Sequence, residues 1–298
     1  MTGDERAAQF TELRPLLFTI AYEILGSATD ADDVLQEAYL RWSRVDPATV
    51  RNGRSYLAQV VTRQSLNALR ARARRREDYV GPWLPEPLLL DDQDAAGDVE
   101  LAESVSMAMM VVLETLSPDE RAVFVLREVF AFSHQEIADA IGKSSAAVRQ
   151  IAHRARSHVH ARRDRFGPVD AAEATAVTAQ FIRAVETGDL DGLLSVLAPD
   201  VNWIADGGGR ATAARNPVSG AGKVAPMILG LFRRAVEIPG VGLEIRNYNN
   251  TPGIVVHSAD RLEGVFLLEV DAGVITNFYV VRNPEKLTAA VVPRTIGR

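Results

Sequence analysis

The chain contains no cysteine, and lysine supplies only three of its 33 basic residues. Without cysteine there is no disulfide framework, no iron–sulfur cluster, no zinc ribbon and no thiol nucleophile. The first ten residues carry two acids and no apolar stretch, unlike a secretory signal. The longest apolar run, residues 107–113, is far shorter than the ~20 residues that span a bilayer. We therefore expect a cytoplasmic protein that makes no contact with a membrane.

Charge is distributed unevenly along the 298 residues. The composition, 47% hydrophobic and 24% charged, is that of a globular protein long enough for two or three domains. The net charge of −6 includes a stretch, residues 81–116, with eight acids and no basic residue. Residues 117–166, in contrast, hold nine basic and six acidic residues. An acidic linker therefore separates two segments with concentrated positive charge.

Hydrophobic periodicity divides the chain into three domains and a linker. Helical spacing predicts one all-α domain over residues 1–79 and a second over 105–166, after a linker at 80–104 whose prolines and aspartates favour an exposed connector without helix. In residues 167–298, helices precede four β-rich runs separated by Gly, Asn-Asn and Pro-Gly turns. This order predicts an α+β domain with a curved antiparallel sheet wrapped on its helices.

An arginine-rich stretch lies at the end of the first domain. Residues 51–76 contain eight arginines and no acid, and such a density of like charge favours a polyanion as partner. Tyr56 lies in the same stretch, and an aromatic ring beside basic residues suits unstacked bases. The pattern predicts nucleic-acid binding. A solvated basic helix in an arginine-rich protein is the alternative.

The second all-α domain has the pattern of a helix-turn-helix. Ser117 and Pro118 form a strong helix start, and Gly142 suits the tight turn before a helix that begins at Ser145. Its outward face holds side chains that suit base edges, namely Arg149, Gln150 and His153. Arg154 and Arg156 suit phosphates. An amphipathic helical hairpin without a ligand is the alternative.

These two segments together resemble a known family. The motif DADDVLQEAYLRW at residues 30–42, followed by the arginine-rich helix, resembles region 2 of the extracytoplasmic-function group of bacterial sigma factors. The segment LSPDERAVFVLREVFAFSHQEIADAIGKSSAAVRQIAHRAR, which starts at residue 116, resembles region 4. The resemblance covers about residues 10–162, and both regions occur in order. It implies a sigma factor that directs promoter-specific transcription initiation.

The resemblance also implies a role for individual residues. The helix near Asp30 would dock on the β′ clamp helices of core RNA polymerase through Asp30, Asp32, Asp33, Gln36 and Glu37, and region 4 would meet the β flap. The −10 promoter element would be held by Asn52, Arg54, Ser55, Tyr56, Arg63, Asn67, Arg70, Arg74 and Arg75. The −35 element would be read by Ser145, Arg149, Gln150, His153, Arg154 and Arg156. Ala147 departs from the hydroxyl residue that the family often has there.

The last ~130 residues resemble the SnoaL-like branch of the nuclear transport factor 2 fold, which is a cone-shaped α+β domain. Sigma factors with this extension carry three signatures, which occur here as WLPEP, DGGGR and NPEK. Their residues are Trp83, Leu84, Pro85, Glu86 and Pro87; Asp206, Gly207, Gly208, Gly209 and Arg210; and Asn283, Pro284, Glu285 and Lys286. Arg210 stands where the family usually has lysine. We expect these polar segments to hold the extension against both sigma domains, in place of a separate anti-sigma factor.

Some proteins of the SnoaL-like fold are enzymes, which use an acid or base inside the cone. The available groups are Asp206, His257 and Asp260, with Tyr248 and Tyr279 as oxyanion donors. We predict that the chain is not an enzyme and has no catalytic residue, cofactor or metal site. Two alternatives stay open. One is a bifunctional protein whose last domain is a small-molecule enzyme or ligand sensor, and the other is a one-component DNA-binding activator.

Overall fold

A computed structural model of the chain describes residues 3–46, 49–76, 79–90, 99–163, 171–259 and 261–298. The first helical domain consists of α1 (Gly3–Leu25), α2 (Ala28–Trp42) and α3 (Gly53–Arg76). The second helix starts at Ala28, because Ser27 is its N-cap and accepts a hydrogen bond from the Asp30 N–H at 3.0 Å. Within the described residues, no helix is long and apolar enough to cross a membrane.

The second helical domain contains the predicted helix-turn-helix. Its elements are α4 (Val99–Ser104), α5 (Met107–Leu113), α6 (Pro118–Phe124), a π-helical turn (Val125–Val129), α7 (His134–Ile141) and α8 (Ser145–Arg163). Ser117 caps α6 in a reciprocal capping box, as its sequence predicts. Gly142 ends α7 with a φ of 70°, which glycine adopts without strain. The predicted inward face of α8 is buried, so the helix-turn-helix is confirmed.

The C-terminal domain is an α+β fold with one six-stranded sheet. Its helices are α9 (Ala171–Thr187), α10 (Leu190–Ser195), α11 (Ala221–Val236) and α12 (Pro284–Leu287), followed by a 3₁₀ turn (Ala289–Val291). Its strands are β1 (Leu197–Asp206), β2 (Val218–Ser219), β3 (Val241–Tyr248), β4 (Thr251–Ser258), β5 (Arg261–Asp271) and β6 (Val274–Val281), in the order β2-β1-β6-β5-β4-β3. The antiparallel expectation is wrong for one pair: β1 runs parallel to β6, because a long crossover separates them in the chain.

The sheet has two buried faces. The inner face packs on α9, α10 and α11, and aromatic rings fill the space between: the Trp203 ring lies 5.4 Å from that of Phe278 and 5.8 Å from that of Phe266. The outer face of the sheet is covered by the chain that precedes it. Leu84 and Met107 pack there in one apolar cluster with strand residues of the sheet.

The linker is buried, which corrects the expectation of an exposed connector. We call residues 79–90 the linker segment. Four of its leucines, Leu84, Leu88, Leu89 and Leu90, are between 1% and 5% exposed. Its backbone also extends the sheet, because Leu90 N–H donates to Asn247 O at 3.0 Å. The leucines favour burial more strongly than the prolines favour exposure. The linker at residues 80–104 is also not free of helix, because it contains α4. Residues 91–98 lie outside the described residues.

Candidate nucleic-acid interface and interdomain junction

Helix α8 presents the side chains expected at the −35 element. Arg149, Gln150 and His153 are exposed on the face opposite the core. Arg154 lies 3.5 Å from Glu120, and Arg156 makes a two-pronged ion pair with Glu128 at 2.7 and 3.2 Å. Ser145, at the first turn, accepts a hydrogen bond from Arg149. The three exposed polar side chains are accessible to base edges, whereas the two flanking arginines already hold acids.

Helix α3, which carries the −10 residues, is packed against the second helical domain. Arg70 Nη2 donates to Asp119 Oδ1 at 2.6 Å, and Arg63 Nη2 donates to the main-chain oxygen of Asp139 at 3.1 Å. The Ser55 hydroxyl donates to Glu136 at 3.4 Å. Three of the residues expected to hold the −10 element therefore contact the helix-turn-helix domain in this structure.

The remaining −10 residues are arranged differently. Asn52 accepts the Ser55 N–H at 3.1 Å and so caps the start of α3. Tyr56 packs on the Trp42 ring at 5.7 Å, so it belongs partly to the core of its domain. Arg54 and Asn67 are exposed. The side chains of Arg74 and Arg75, at the end of the helix, lie outside the described residues.

The acids expected to dock on polymerase lie along one side of α2. Asp33, Gln36 and Glu37 are exposed, and Gln64 donates to Glu37 at 3.3 Å. Asp30 pairs with Arg72 at 3.0 Å.

Asp32 differs from its neighbours because it binds two arginines from other elements. Arg14 of α1 approaches it at 3.1 Å. Arg294 of the C-terminal domain approaches it at 2.5 Å. The C-terminal domain thus covers part of the expected docking surface.

The three signature segments meet at one carboxylate. Asp206, the last residue of β1, is completely buried. Its side chain accepts hydrogen bonds from the Leu84 N–H at 2.9 Å, the Tyr79 hydroxyl at 2.5 Å, the Gly208 N–H at 3.1 Å and Lys286 Nζ at 2.7 Å. Residues of WLPEP, DGGGR and NPEK are therefore joined through a single side chain. We call this arrangement the Asp206 junction.

Lys286 is the buried cation of the Asp206 junction. It is 4% exposed, and its Nζ lies 3.3 Å from the centroid of the Trp83 ring, a cation–π arrangement. It also donates to the main-chain oxygen of Leu84. Burial lowers the pKa of Lys286 to about 8, although the ion pair with Asp206 opposes this shift. Asp206 and Lys286 therefore lie inside the protein, where each neutralises the charge of the other.

The glycines and Arg210 determine the course of the loop around Asp206. Gly208 has a φ of 58°, and a Cβ there would lie 2.4 Å from Nδ2 of Asn283, so a larger residue would separate the loop from NPEK. A Cβ at Gly207 would lie 2.3 Å from the Ala211 oxygen. Gly209 also has a positive φ, of 70°. Arg210 pairs with Glu285 at 2.7 Å on the surface, where both side chains are 63% exposed.

The other half of WLPEP binds the first helical domain. The Glu86 carboxylate accepts from the Ser27 hydroxyl at 2.8 Å and from the Thr29 N–H at 3.1 Å, at the start of α2, where the helix dipole favours an anion. The Tyr22 hydroxyl donates to the main-chain oxygen of Glu86 at 2.8 Å. Burial raises the pKa of Glu86. Pro85 and Pro87, on either side, are buried.

Asn249 is a junction residue that sequence reasoning missed. It lies in the β3–β4 turn with a φ of 52° and is completely buried. Its Nδ2 donates to the Tyr22 hydroxyl at 2.8 Å and to the Val105 oxygen at 2.7 Å, and its Oδ1 accepts the Leu88 N–H at 2.9 Å. One side chain thus connects both helical domains, the linker segment and the sheet. The Asn-Asn pair predicts the turn, but nothing in it indicates burial.

The groups weighed as an enzyme site lie on the outer face of the sheet and not inside the cone. Asp206 is held by Lys286, and the Tyr248 hydroxyl donates to the Ala290 oxygen at 2.7 Å. Tyr279 donates to Glu269 at 2.6 Å, and burial raises the pKa of Glu269 to about 7. His257 is on the same face, opposite Gly242 in the ladder, and Asp260 lies outside the described residues.

Comparison with known proteins agrees with this architecture. The family models for Sigma-70 region 2 and Sigma-70 region 4 match residues 9–75 and 106–159. The ECF RNA polymerase sigma factor SigJ of Mycobacterium tuberculosis is 38% identical over 294 residues, which cover 95% of this chain and 93% of SigJ. The probable ECF RNA polymerase sigma factor SigI of the same species is 33% identical over 287 residues, 95% of each chain.

The fold of the whole chain is also shared. The crystal structure of Mycobacterium tuberculosis SigJ superposes with a TM-score of 0.75, at 33% identity, over 95% of this chain and 98% of that one. The likeness includes the C-terminal domain, which is the SnoaL-like domain that the resemblance implied. This chain belongs to the extracytoplasmic-function RNA polymerase sigma factors. It carries both sigma regions and a C-terminal SnoaL-like domain.

Proposed function

We propose that this sigma factor binds core RNA polymerase through the acids of α2 and reads the −35 element with α8 and the −10 element with α3. We further propose that its SnoaL-like domain holds the two helical domains in a closed arrangement that must open before a promoter is bound. The closed arrangement would take the place of a separate anti-sigma factor. Because the polymerase and promoter that it would serve are cytoplasmic, we place its action there.

The observation that carries this proposal is the contact of α3 with the second helical domain. Arg70 is held by Asp119, which also pairs with Lys143 at 3.0 Å, and Arg63 is held by the end of α7. Promoter phosphates would have to compete with these partners for the N–H donors of Arg70 and Arg63. The closed state is therefore suited to storage and not to initiation.

The SnoaL-like domain is positioned to maintain closure. Glu86 joins the linker segment to the first helical domain, and Asp206 joins it to the C-terminal domain. Met107 of α5 packs on the outer face of the sheet with Leu84. Because the same sheet face contacts the linker segment and the second helical domain, movement of the SnoaL-like domain would release both.

We infer that the SnoaL-like domain has a regulatory and not a catalytic role. The support is that Asp206, His257, Tyr248 and Tyr279 lie on the outer face of the sheet, while aromatic rings pack between the sheet and its helices. Turnover of a small molecule by the full chain, screened across a metabolite panel, would favour the bifunctional alternative. No product above that of a denatured control supports the regulatory role.

Run-off transcription with purified core polymerase tests the proposal. Asp119→Ala removes the acid that holds Arg70, so we expect higher promoter occupancy and transcript yield than wild type at equal concentrations. Glu263→Ala is the matched control, because it releases Arg261, whose ion pair with Glu263 lies within β5. Equal yields from wild type and both variants would contradict closure. Absence of promoter-dependent transcript from all three, with the polymerase active on another sigma factor, would contradict the sigma role of the purified chain.

A further inference from the structure

Over most of its length, the outer edge of β3 has no covering strand among the residues that the structure describes, and it exposes apolar side chains beside one ion pair, Glu244 with Arg246 at 2.9 Å. Among the described residues, pairing along this edge begins only at Asn247, where the linker segment attaches. Leu243 and Ile245 of the strand are 41% and 52% exposed, although they belong to the face that packs on helices elsewhere in the sheet. Val236 and Ile238, just before the strand, are 61% and 52% exposed. Native sheets normally protect such an edge with charge, proline or a partner.

Backbone N–H and C=O groups along the edge of β3 point outward, in the orientation that pairing with another strand requires. Asn247 is opposite Pro252 in the β3–β4 ladder, and proline has no N–H to share, so Asn247 directs its hydrogen-bonding groups outward, where Leu90 binds its oxygen. Outward and inward residues alternate along an antiparallel strand. Leu243 and Ile245 therefore direct their N–H and C=O groups to the outside as well.

We propose that this edge pairs with the same edge of a second copy of the chain, in an antiparallel arrangement with Leu243 opposite Leu243. A two-fold axis perpendicular to the sheet keeps each side chain on its own face. Centring that axis on Ile245 would place Leu243 of the second copy at Asn247, which the linker segment occupies. Centring it on Glu244 would oppose two carboxylates, which is destabilising. Centring it on Gly242 would place Ile245 against Pro239.

The Leu243-centred arrangement is complementary on both faces of the sheet. On the inner face, Val241 of one copy lies opposite Ile245 of the other, beside the central leucine pair. On the outer face, Glu244 of the second copy lies opposite Gly242. A Cβ at Gly242 would be 2.3 Å from the His257 ring, so the imidazole extends over this glycine. The Glu244 carboxylate of the second copy, which Arg246 of its own strand holds at 2.9 Å, would come opposite that imidazole, and the symmetry repeats this contact twice.

The chain's own continuation is a poor cover for this edge. The segment that follows Leu90 reads DDQDAAGD, with four acids and no large apolar side chain. It cannot bury the apolar side chains of β3, whereas a second copy supplies the same apolar set. A second copy is therefore the occupant that the chemistry favours.

Single-cysteine variants of the full chain test the register directly, because the natural sequence has no cysteine. Residues in a hydrogen-bonded antiparallel pair have Cα atoms about 5.5 Å apart, within disulfide range. We expect Leu243→Cys to form a covalent dimer under mild oxidation, and Ile245→Cys to form none. The double variant with Val241→Cys and Ile245→Cys should form the dimer again. Val292→Cys is the control, since Val292 is 42% exposed and does not belong to β3.

Sedimentation of the cysteine-free chain measures the dimer without cross-linking. Leu243→Lys should raise the dimer dissociation constant at least about tenfold, and Val292→Lys should leave it unchanged. Glu244→Lys should weaken the dimer and a second change, His257→Glu, should restore it. Circular dichroism confirms that each variant is folded. A wild-type chain that stays monomeric at high concentration, or equal cross-linking of Ile245→Cys and Leu243→Cys, would overturn the proposal.

Discussion

Arg294 of the SnoaL-like domain forms an ion pair of 2.5 Å with Asp32 on α2, the helix that we propose docks on polymerase. Neither side chain is fully exposed, and the Arg294 guanidinium also lies 5.8 Å from the Phe18 ring centroid. An arginine of the same chain thus pairs with an acid that, in the proposed docking, would contact the basic clamp helices of polymerase. This relationship links polymerase binding to the position of the last segment of the chain.

Arg294→Ala should strengthen binding to core polymerase, because Asp32 would lose an internal competitor. A partly exposed pair contributes ~0.2–1 kcal/mol, so the gain in affinity is expected to be up to about fivefold. Fluorescence titration of labelled core polymerase measures it. Arg261→Ala, which removes an arginine 80% exposed in the sheet, is the control. Unchanged affinity of Arg294→Ala would mean that Asp32 takes no part in docking.

Lys286→Met should destabilise the fold strongly, because it leaves Asp206 charged and buried without its cation. Breaking a buried pair by removing one partner costs about 3–5 kcal/mol. The exposed pair of Arg210 and Glu285, on the same two motifs, supplies the comparison: Arg210→Ala should cost less than about 1 kcal/mol. Urea unfolding of both variants measures the difference. Similar losses would show that burial at the Asp206 junction is unimportant.

Stability should fall as the pH rises, because of carboxyl groups buried between the domains. Glu23 is completely buried and accepts the Ser104 hydroxyl at 2.6 Å, and burial raises its pKa from 4.5 to about 8. The folded chain therefore holds a proton that the unfolded chain has lost between these two values. Stability is highest below about pH 4.5 for this group and is lost as the pH rises to about 8.

Glu23→Gln tests this assignment, because the amide keeps the acceptor for Ser104 but cannot lose a proton. We expect the thermal midpoint of the variant to depend less on pH than that of wild type. The difference should appear between about pH 5 and pH 8, where Glu23 titrates in the folded or the unfolded chain. Glu86 and Glu269, whose pKa values are also raised by burial, leave a residual slope of the same sign. Parallel profiles for the variant and wild type would show that Glu23 does not titrate in this range.

Arg149→Ala and His153→Ala should weaken binding to promoters that contain the −35 element. Loss of one base-edge contact costs ~1–3 kcal/mol and relaxes specificity at one base pair. Binding to a panel of single-base variants of the promoter measures both effects. If affinity fell equally on every sequence in the panel, the side chains would contact phosphates and not bases.

The helices of the two sigma domains can be predicted from short-range sequence signals. Ser117 with Pro118, and Gly142 after α7, are start and stop signals whose chemistry is contained within a few residues. The buried and exposed faces of α8 can be predicted in the same way, from the helical spacing of its apolar residues. The limit of such signals is visible at α2, where Asp30 and Ser27 are both good caps and only the structure identifies Ser27.

The Asp206 junction could not be predicted from such signals, because the residues that meet there are distant in the chain. Asp206 and Lys286 are 80 positions apart, and nothing near either residue indicates an ion pair. The prolines and aspartates of residues 80–104 predict an exposed linker, whereas Leu84 and Leu89 pack on the sheet. The contacts that bury the linker segment come from far along the chain: Leu88 and its partner Asn249 are 161 positions apart. The burial of the linker segment depends on packing against residues far along the chain, and local composition does not predict such packing.

Asn249 has a consequence for exchanging parts between sigma factors. Its amide group is satisfied by Tyr22, Leu88 and Val105, which belong to three different parts of the chain. A chimera that joins these sigma regions to another SnoaL-like domain would leave those partners unsatisfied in a dry interior, and a chain ended before the sheet would expose the linker leucines to water. We therefore expect a grafted SnoaL-like domain to pack on these sigma regions only when its β3–β4 turn and the recipient's linker come from the same parent.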